Sequence, residues 1–171
     1  NLDIRDKYMS EIAKLRERAK TSPRLRSNLS LGHETRGKET FHRILNAIEP
    51  GSYMKPHMHP DKNMVEFFQC LYGEVYVISY NSDGNISKIS DLIGSESKSV
   101  EVGPGVYHSV LAVQPSVIYE ENRQPKGRFF DSKLDRVDSD WSPNEDQKGE
   151  TSAFMSNLQS HAQSWLREHT P

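Results

Sequence analysis

Apolar positions recur every third or fourth residue at the two ends of the chain and every second residue through its middle. Between positions 3 and 20, Ile4, Tyr8, Ile12, Leu15 and Ala19 mark one face of a helix, and charged side chains fill the other. Pro23 in "TSPR" stops this pattern, because proline disfavours helical geometry at Ser22. The spacing predicts a helix that packs on the main body or meets a second copy of the chain.

From Phe41 to Glu121 the pattern is that of strands. "FHRILNAI" alternates and ends at the turn signal "EPGS"; "MVEFFQCLYG" and "EVYVISY" follow, and "NSDGN" reads as a hairpin turn. "ISKISDLI", "SVEVGPG", "YHSVLAV" and "SVIYEE" complete the series. Short strands this closely spaced predict an antiparallel sandwich or small barrel. Residues 124–150 are polar and rich in Asp, Ser and Pro, the pattern of a surface arm. Residues 152–168 return to helical spacing, with Phe154, Leu158, Ala162 and Trp165 on one stripe and Leu166 beside it. The chain thus divides into a helix packing on the barrel (1–22), a β-barrel (23–123), a surface arm (124–150) and a C-terminal helix (151–171).

Composition narrows the function classes. A chain of 171 residues is long enough for one domain with a real core, and a mean hydropathy of −0.78 places part of it outside that core. A net charge of −2 gives no field for nucleic acid or a membrane surface. No apolar run approaches the roughly 20 residues of a membrane helix. The single cysteine, Cys70, forbids an internal disulfide and points to a reducing, cytoplasmic setting. The first residue is Asn1 rather than Met, the pattern expected if a preceding segment has been removed.

The chemistry gathers around "PGSYMKPHMHP". Residues two apart on a strand share a face, so His57 and His59 project together, and Pro56 and Pro60 bias their predecessors to the extended form that makes the imidazoles converge. Glu66 follows in "NMVEFFQ", sharing its face with Met64, Phe68 and Cys70. A carboxylate among such neighbours needs a partner or a proton, and a cation held by two histidines is such a partner. His108 begins a later strand after a Pro-Gly turn. Three imidazoles and one carboxylate suit Fe, Mn, Ni, Zn, Co or Cu, with positions left for water or substrate.

These residues resemble the cupin family. "GSYMKPHMHPDKNMVEFFQCLYG" is similar to the first cupin motif, with Gly51, His57, His59, Glu66 and Gly73 in place and a longer spacer than usual, six residues, between His59 and Glu66. "GPGVYHSVLA" is similar to the second, departing at Gly103 and Ala112. "SPRLR", "NSDG", "VIYEE" and "WSPNE" further resemble the WbuC-type cupin metalloproteins, over about residues 15–145. The resemblance implies a mainly β fold, a double-stranded β-helix or jelly-roll barrel, with His57, His59, Glu66 and His108 around one divalent transition metal. It also implies a bacterial setting beside surface-polysaccharide, O-antigen-like sugars, and the pairing of barrels as a homodimer.

Other residues are candidates for binding or proton transfer. Arg43 on "FHRILNAI" either points out to solvent or points in and holds an anion. Arg24 and Arg26 form a clamp for a phosphate or carboxylate, or else pair with acidic residues of the arm. Tyr53, Tyr107 and Glu120 are candidate acids or bases, Tyr119 a further hydroxyl, and Cys70 a small buried hydrophobe. His33, His161 and His169 read as surface residues.

Three functions fit these patterns. One is a metal-dependent enzyme: a sugar or sugar-nucleotide isomerase or epimerase, or an oxygen-dependent dioxygenase. Another is a sensor or carbohydrate-binding module without turnover, taking a small sugar-like or anionic ligand. The third is a metal serving only as a structural staple, which a site closed by four protein ligands would favour.

Overall fold

The structure, a computed structural model, describes residues 2–129, 131 and 134–171. Residue 1 of the expected first helix and residues 130, 132 and 133 of the expected arm lie outside the described residues.

The N-terminal pattern forms two helical segments, α1 (Leu2–Lys7) and α2 (Met9–Thr21). Tyr8 between them leaves helical geometry at φ −114 and ψ 27, yet its N–H donates to Ile4 O at 3.1 Å and its carbonyl accepts from Ile12 N–H at 2.8 Å. Hydrogen bonding therefore runs through the kink. Ser22 is extended, with φ −69 and ψ 138, as the following proline requires.

Among the described residues, ten strands follow: β1 (Arg26–Arg36), β2 (Glu39–Ile48), β3 (His57–Met58), β4 (Val65–Tyr72), β5 (Glu74–Tyr80), β6 (Ile86–Ile93), β7 (Ser99–Val102), β8 (Tyr107–Ala112), β9 (Ser116–Pro125) and β10 (Val137–Asp138). They form two antiparallel sheets, in the orders β1-β2-β9-β4-β7 and β10-β3-β8-β5-β6. Without the outermost β1 and β10, four strands face four, and the chain crosses between sheets at nearly every connection. This is a jelly roll, the double-stranded β-helix. Gly73 makes the corner between β4 and β5: its φ is +84, and a Cβ there would lie 2.4 Å from Pro115 O.

Both outer faces are covered. Ile12, Leu15 and Ala19 of α2 pack on Leu45, Ala47, Leu71 and Val117 of the first sheet. The C-terminal helix α3 (Lys148–His169) sets Met155, Leu158 and Ala162 against Ile78, Tyr80, Ile89 and Leu111 of the second. Between the sheets, Phe68, Cys70, Val77, Val110 and Ile118 form the inner core. The layers run helix, sheet, sheet, helix.

Two elements differ from the sequence expectation. Strand β1 has no fully buried residue, so its polar run carries little alternation to read. The segment expected as a surface arm is instead a strap. It adds β10 to the edge of β3, Ser139 N–H donates to Pro56 O at 3.0 Å, and Trp141 packs on Tyr80 and Tyr107. Lys55 Nζ donates to Ser142 O at 2.7 Å, so the strap's polar groups satisfy buried partners rather than water. Among the described residues, no helix is long and apolar enough to cross a membrane.

Candidate metal centre

His57 and His108 lie directly opposite one another on β3 and β8. His59 follows two residues after His57, and Glu66 reaches across from β4 in the other sheet. A short bond binds the two histidine segments, Gly105 N–H to His59 O at 2.8 Å, in a turn where Gly105 has φ +73. One ligand-type atom from each of the four side chains falls within 4.8 Å of the others, and all four residues are buried.

The tautomers follow from the hydrogen bonds. His57 Nδ1 lies 2.9 Å from Lys55 O, His59 Nδ1 2.5 Å from Asp135 O, and His108 Nδ1 2.9 Å from Val106 O. A backbone carbonyl only accepts, so each Nδ1 carries a proton and each ring turns its Nε2 inward. This is how metal-ligating histidines are held. His59 Nε2 meets a Glu66 carboxylate oxygen, and His108 Nε2, buried and without a hydrogen bond among the described residues, lies 3.3 Å from the other. A buried lone pair facing a carboxylate calls for a cation, and the donor set of three imidazoles and one carboxylate fits a divalent transition metal.

Electrostatics agree at His57 and Glu66. Burial, then His108 and Arg136, hold His57 well below the usual imidazole value, in its ligating form. Burial alone would raise Glu66, but the adjacent His108 and His59 outweigh it and keep the carboxyl well below its ordinary range. At His59, burial is outweighed by the bond to Glu66, and the value rises.

The cluster opens onto a cavity of about 530 Å³. Glu120 lies in its wall, accepting from Asn46 Nδ2 at 2.8 Å; burial, and then the charge of Glu66, push its carboxyl up to about 8. Arg24 and Arg26 also reach the cavity, and both meet Glu145 of the strap. Arg24 donates twice, at 3.0 and 2.9 Å, while Arg26 gives Nη2 to Glu145 at 2.9 Å and Nη1 to Tyr53 O at 2.6 Å. The acidic partner weighed from sequence is therefore present. Leu25 between them takes a left-handed φ of 54, a strained value for leucine, in the turn that sends both arginines toward the cavity.

Four of the sequence candidates lie elsewhere. Arg43 is on the helix-covered side of β2, donating to Leu31 O at 2.9 Å, because the residues that face the cavity are its neighbours of opposite parity, Ile44 and Asn46. Tyr53 donates to Pro143 O at 2.6 Å and packs on Phe154. Tyr107 precedes the inward-facing His108, so it faces outward onto Trp141. Tyr119 donates to Glu121 at 2.7 Å, and Cys70 belongs to the inner core. Residues that sequence reasoning passed over also line the cavity: Asn28, Asn46, Asn122 and Arg136. The parity of β2 points to Asn46, and Asn122 lies opposite Glu66 in the sheet register. Arg136 carried no signal, since its segment reads as solvated.

Comparison with known proteins adds the following. A model of a domain of unknown function, DUF6016, matches residues 8–92. No curated protein matches the chain. Among solved structures, KdgF from a Halomonas species aligns with a TM-score of 0.45 and 13% identity over 62% of this chain and 83% of that one. The capsular polysaccharide assembling protein CapF from Staphylococcus aureus gives 0.45 and 14%, over 65% of this chain but only 32% of its own length. An uncharacterised double-stranded β-helix protein from Klebsiella pneumoniae gives 0.45 and 13%, over 67% and 84%.

Proposed function

We propose that this chain is a metal-dependent cupin protein. His57, His59, Glu66 and His108 hold one divalent transition metal, of the set Fe, Mn, Ni, Zn, Co or Cu, at the floor of a cavity that admits a small polar molecule. The observation that carries this reading is the shared orientation of the three imidazoles. Each gives its Nδ1 proton to a carbonyl and turns Nε2 toward Glu66. The adjoining cavity of about 530 Å³ favours a working site over a structural staple, because a staple has no use for an approach from solvent.

A metal bound there supplies Lewis acidity toward a carbonyl or hydroxyl oxygen, or activates water or oxygen. The protein's own groups supply the rest. Glu120 offers a carboxyl able to hold a proton near neutral pH, with Asn46 fixing its orientation. Arg24 and Arg26 set the positive rim. This arrangement supports an isomerase or epimerase acting on a sugar or sugar-nucleotide in bacterial surface-polysaccharide biosynthesis, a setting that rests on the resemblance to WbuC-type proteins. Oxygen-dependent chemistry uses the same ligands. The chain is further proposed to work in the cytoplasm as a homodimer, pairing through its sheet edges.

A non-catalytic binding protein is the second reading, and one observation favours it: of the three candidate acids and bases, Tyr53 and Tyr107 lie away from the cavity.

Elemental mass spectrometry on untagged protein tests the centre. About one metal per chain in the parent, and little in His57→Ala, is the expected result. Absence of metal from the parent after reconstitution would overturn the proposal.

A further inference from the structure

Three arginines line the cavity, and their ion-pair partners are only two carboxylates, Glu145 and Asp138. Arg24 and Arg26 share one carboxylate, Glu145. Of this pair, the side chain of Arg26 is 9% exposed and that of Arg24 52%, so only Arg26 is poorly solvated. Arg136 pairs with a different carboxylate. Its Nε donates to Asp138 at 2.8 Å, while its two terminal nitrogens have no partner among the described residues. It immediately precedes β10, whose Asp138 lies opposite His57, and it lines the same cavity as the histidines. A guanidinium with two free parallel donors, one-third exposed, is shaped for a bidentate oxyanion.

Further in, the wall changes character. Asn122 is 3% exposed, and its Oδ1 is buried without a hydrogen-bond partner among the described residues. It lies opposite Glu66 in the register and lines the cavity. An unpaired buried amide oxygen is costly unless a ligand donates to it. Asn46 and the Glu120 carboxyl stand beside it as further donors and acceptors. Groups that both donate and accept, set close together, match neighbouring hydroxyls. The apolar lining is limited to Ile44, Met54 and Phe68, which offers little to a hydrophobic ligand.

We infer that the cavity is a subsite for a small polyhydroxylated molecule bearing a carboxylate or phosphate, with Arg136 docking the oxyanion at the rim and Asn122 taking a hydroxyl beside the metal. The inference rests on the metal-centre reading and adds the class of ligand. Arg24 and Arg26, already engaged by Glu145, shape the field, and Arg136 makes the contact.

Calorimetric titration of metal-reconstituted protein with three matched probes tests it: gluconate, glucitol 6-phosphate and uncharged glucitol. At least one anionic probe should bind more tightly than glucitol, and whichever of the two binds better identifies the oxyanion. Arg136→Gln should weaken the preferred anion by about ten- to a hundredfold, the loss of charge-assisted hydrogen bonds. Arg43→Gln, on the far side of β2, should leave it unchanged. Asn122→Ala should weaken the anion with its hydroxyls but not acetate or inorganic phosphate. Equal affinity for charged and uncharged probes, indifference to Arg136→Gln, or no binding of any probe at millimolar concentration would overturn the inference. Metal content is read on every sample. Metal-loaded protein without anion preference sinks the subsite alone. Metal-free protein that still selects the anion through Arg136 sinks the metal centre alone.

Discussion

His57 and His108 face each other across β3 and β8 with their ring centroids 4.6 Å apart, both buried and both turned inward by carbonyls on their Nδ1 side. Two imidazolium charges at that separation repel strongly, so the pair tolerates one shared cation and not two separate protons.

Acid should therefore empty the centre. Ligation requires neutral imidazoles, so metal content should be full at neutral pH and fall as the histidines take up protons. Dialysis across a pH series followed by elemental analysis reads this directly, and metal retained unchanged at acid pH would exclude histidine ligation.

His57 also sets a direction for stability without metal. Its folded-state value lies below that of the unfolded chain, so the unfolded state binds the extra proton. Its contribution is present above the unfolded value of about 6.5 and is lost as pH falls below it. Melting of the metal-free parent should thus drop relative to His57→Gln on acidification; parallel curves would count against a buried neutral imidazole.

Glu120 works in the opposite sense. Its carboxyl is pushed up to about 8, so the folded state holds a proton that the unfolded chain releases near pH 4. Its contribution is whole at low pH and is lost as pH rises through about 8. Glu120→Gln, which keeps the shape and the bond to Asn46, should make metal-free protein relatively more stable at pH 8 than at pH 4, as scanning calorimetry would show. A bound divalent cation should pull the carboxyl back down and shrink the difference.

Tyr53→Phe separates packing from chemistry. The hydroxyl donates to Pro143 O and Tyr53 is not in the cavity lining, so its removal should cost about 1 kcal/mol of stability. Metal content should not change. A fall in metal content with unchanged melting would place the hydroxyl in the centre after all.

Two substitutions test the frame that carries the site. Gly73→Ala puts a Cβ against Pro115 O at a left-handed position and should destabilise by at least about 2 kcal/mol. Leu158→Ala removes a buried contact between α3 and the second sheet and should cost about 2–4 kcal/mol. Denaturant unfolding measures both, and a neutral Leu158→Ala would mean that α3 is not docked as described.

The strands and the cluster of His57, His59, Glu66 and His108 were legible because each rests on local rules. Period two survives in "FHRILNAI", and the i, i+2 spacing brings His57 and His59 to one face without any knowledge of the partner sheet. What escaped depends on distant chain. Whether the Arg43 face of β2 meets the cavity or α2 is decided by which layer covers it, and alternation alone gives the same pattern for both. Tyr107 was separable in principle, since a neighbour of an inward histidine must face outward. Arg136 was not: the strap is polar because its groups bond to Pro56, Lys55 and His59, and composition does not distinguish those partners from water.

The place of β9 has a consequence for how the chain is made. It is the last strand of the jelly roll in sequence, yet it sits between β2 and β4, pairing Glu39 with Pro125 and Glu66 with Asn122. A nascent chain that has emerged only through β8 holds all four ligands, but the first sheet is still in two halves and Glu66 has no neighbour on that side. Closure waits for the late strand to insert, which spans most of the barrel's length in sequence and is slow for that reason. Refolding of the purified protein should then show metal uptake tracking the slow phase, with the centre completed last.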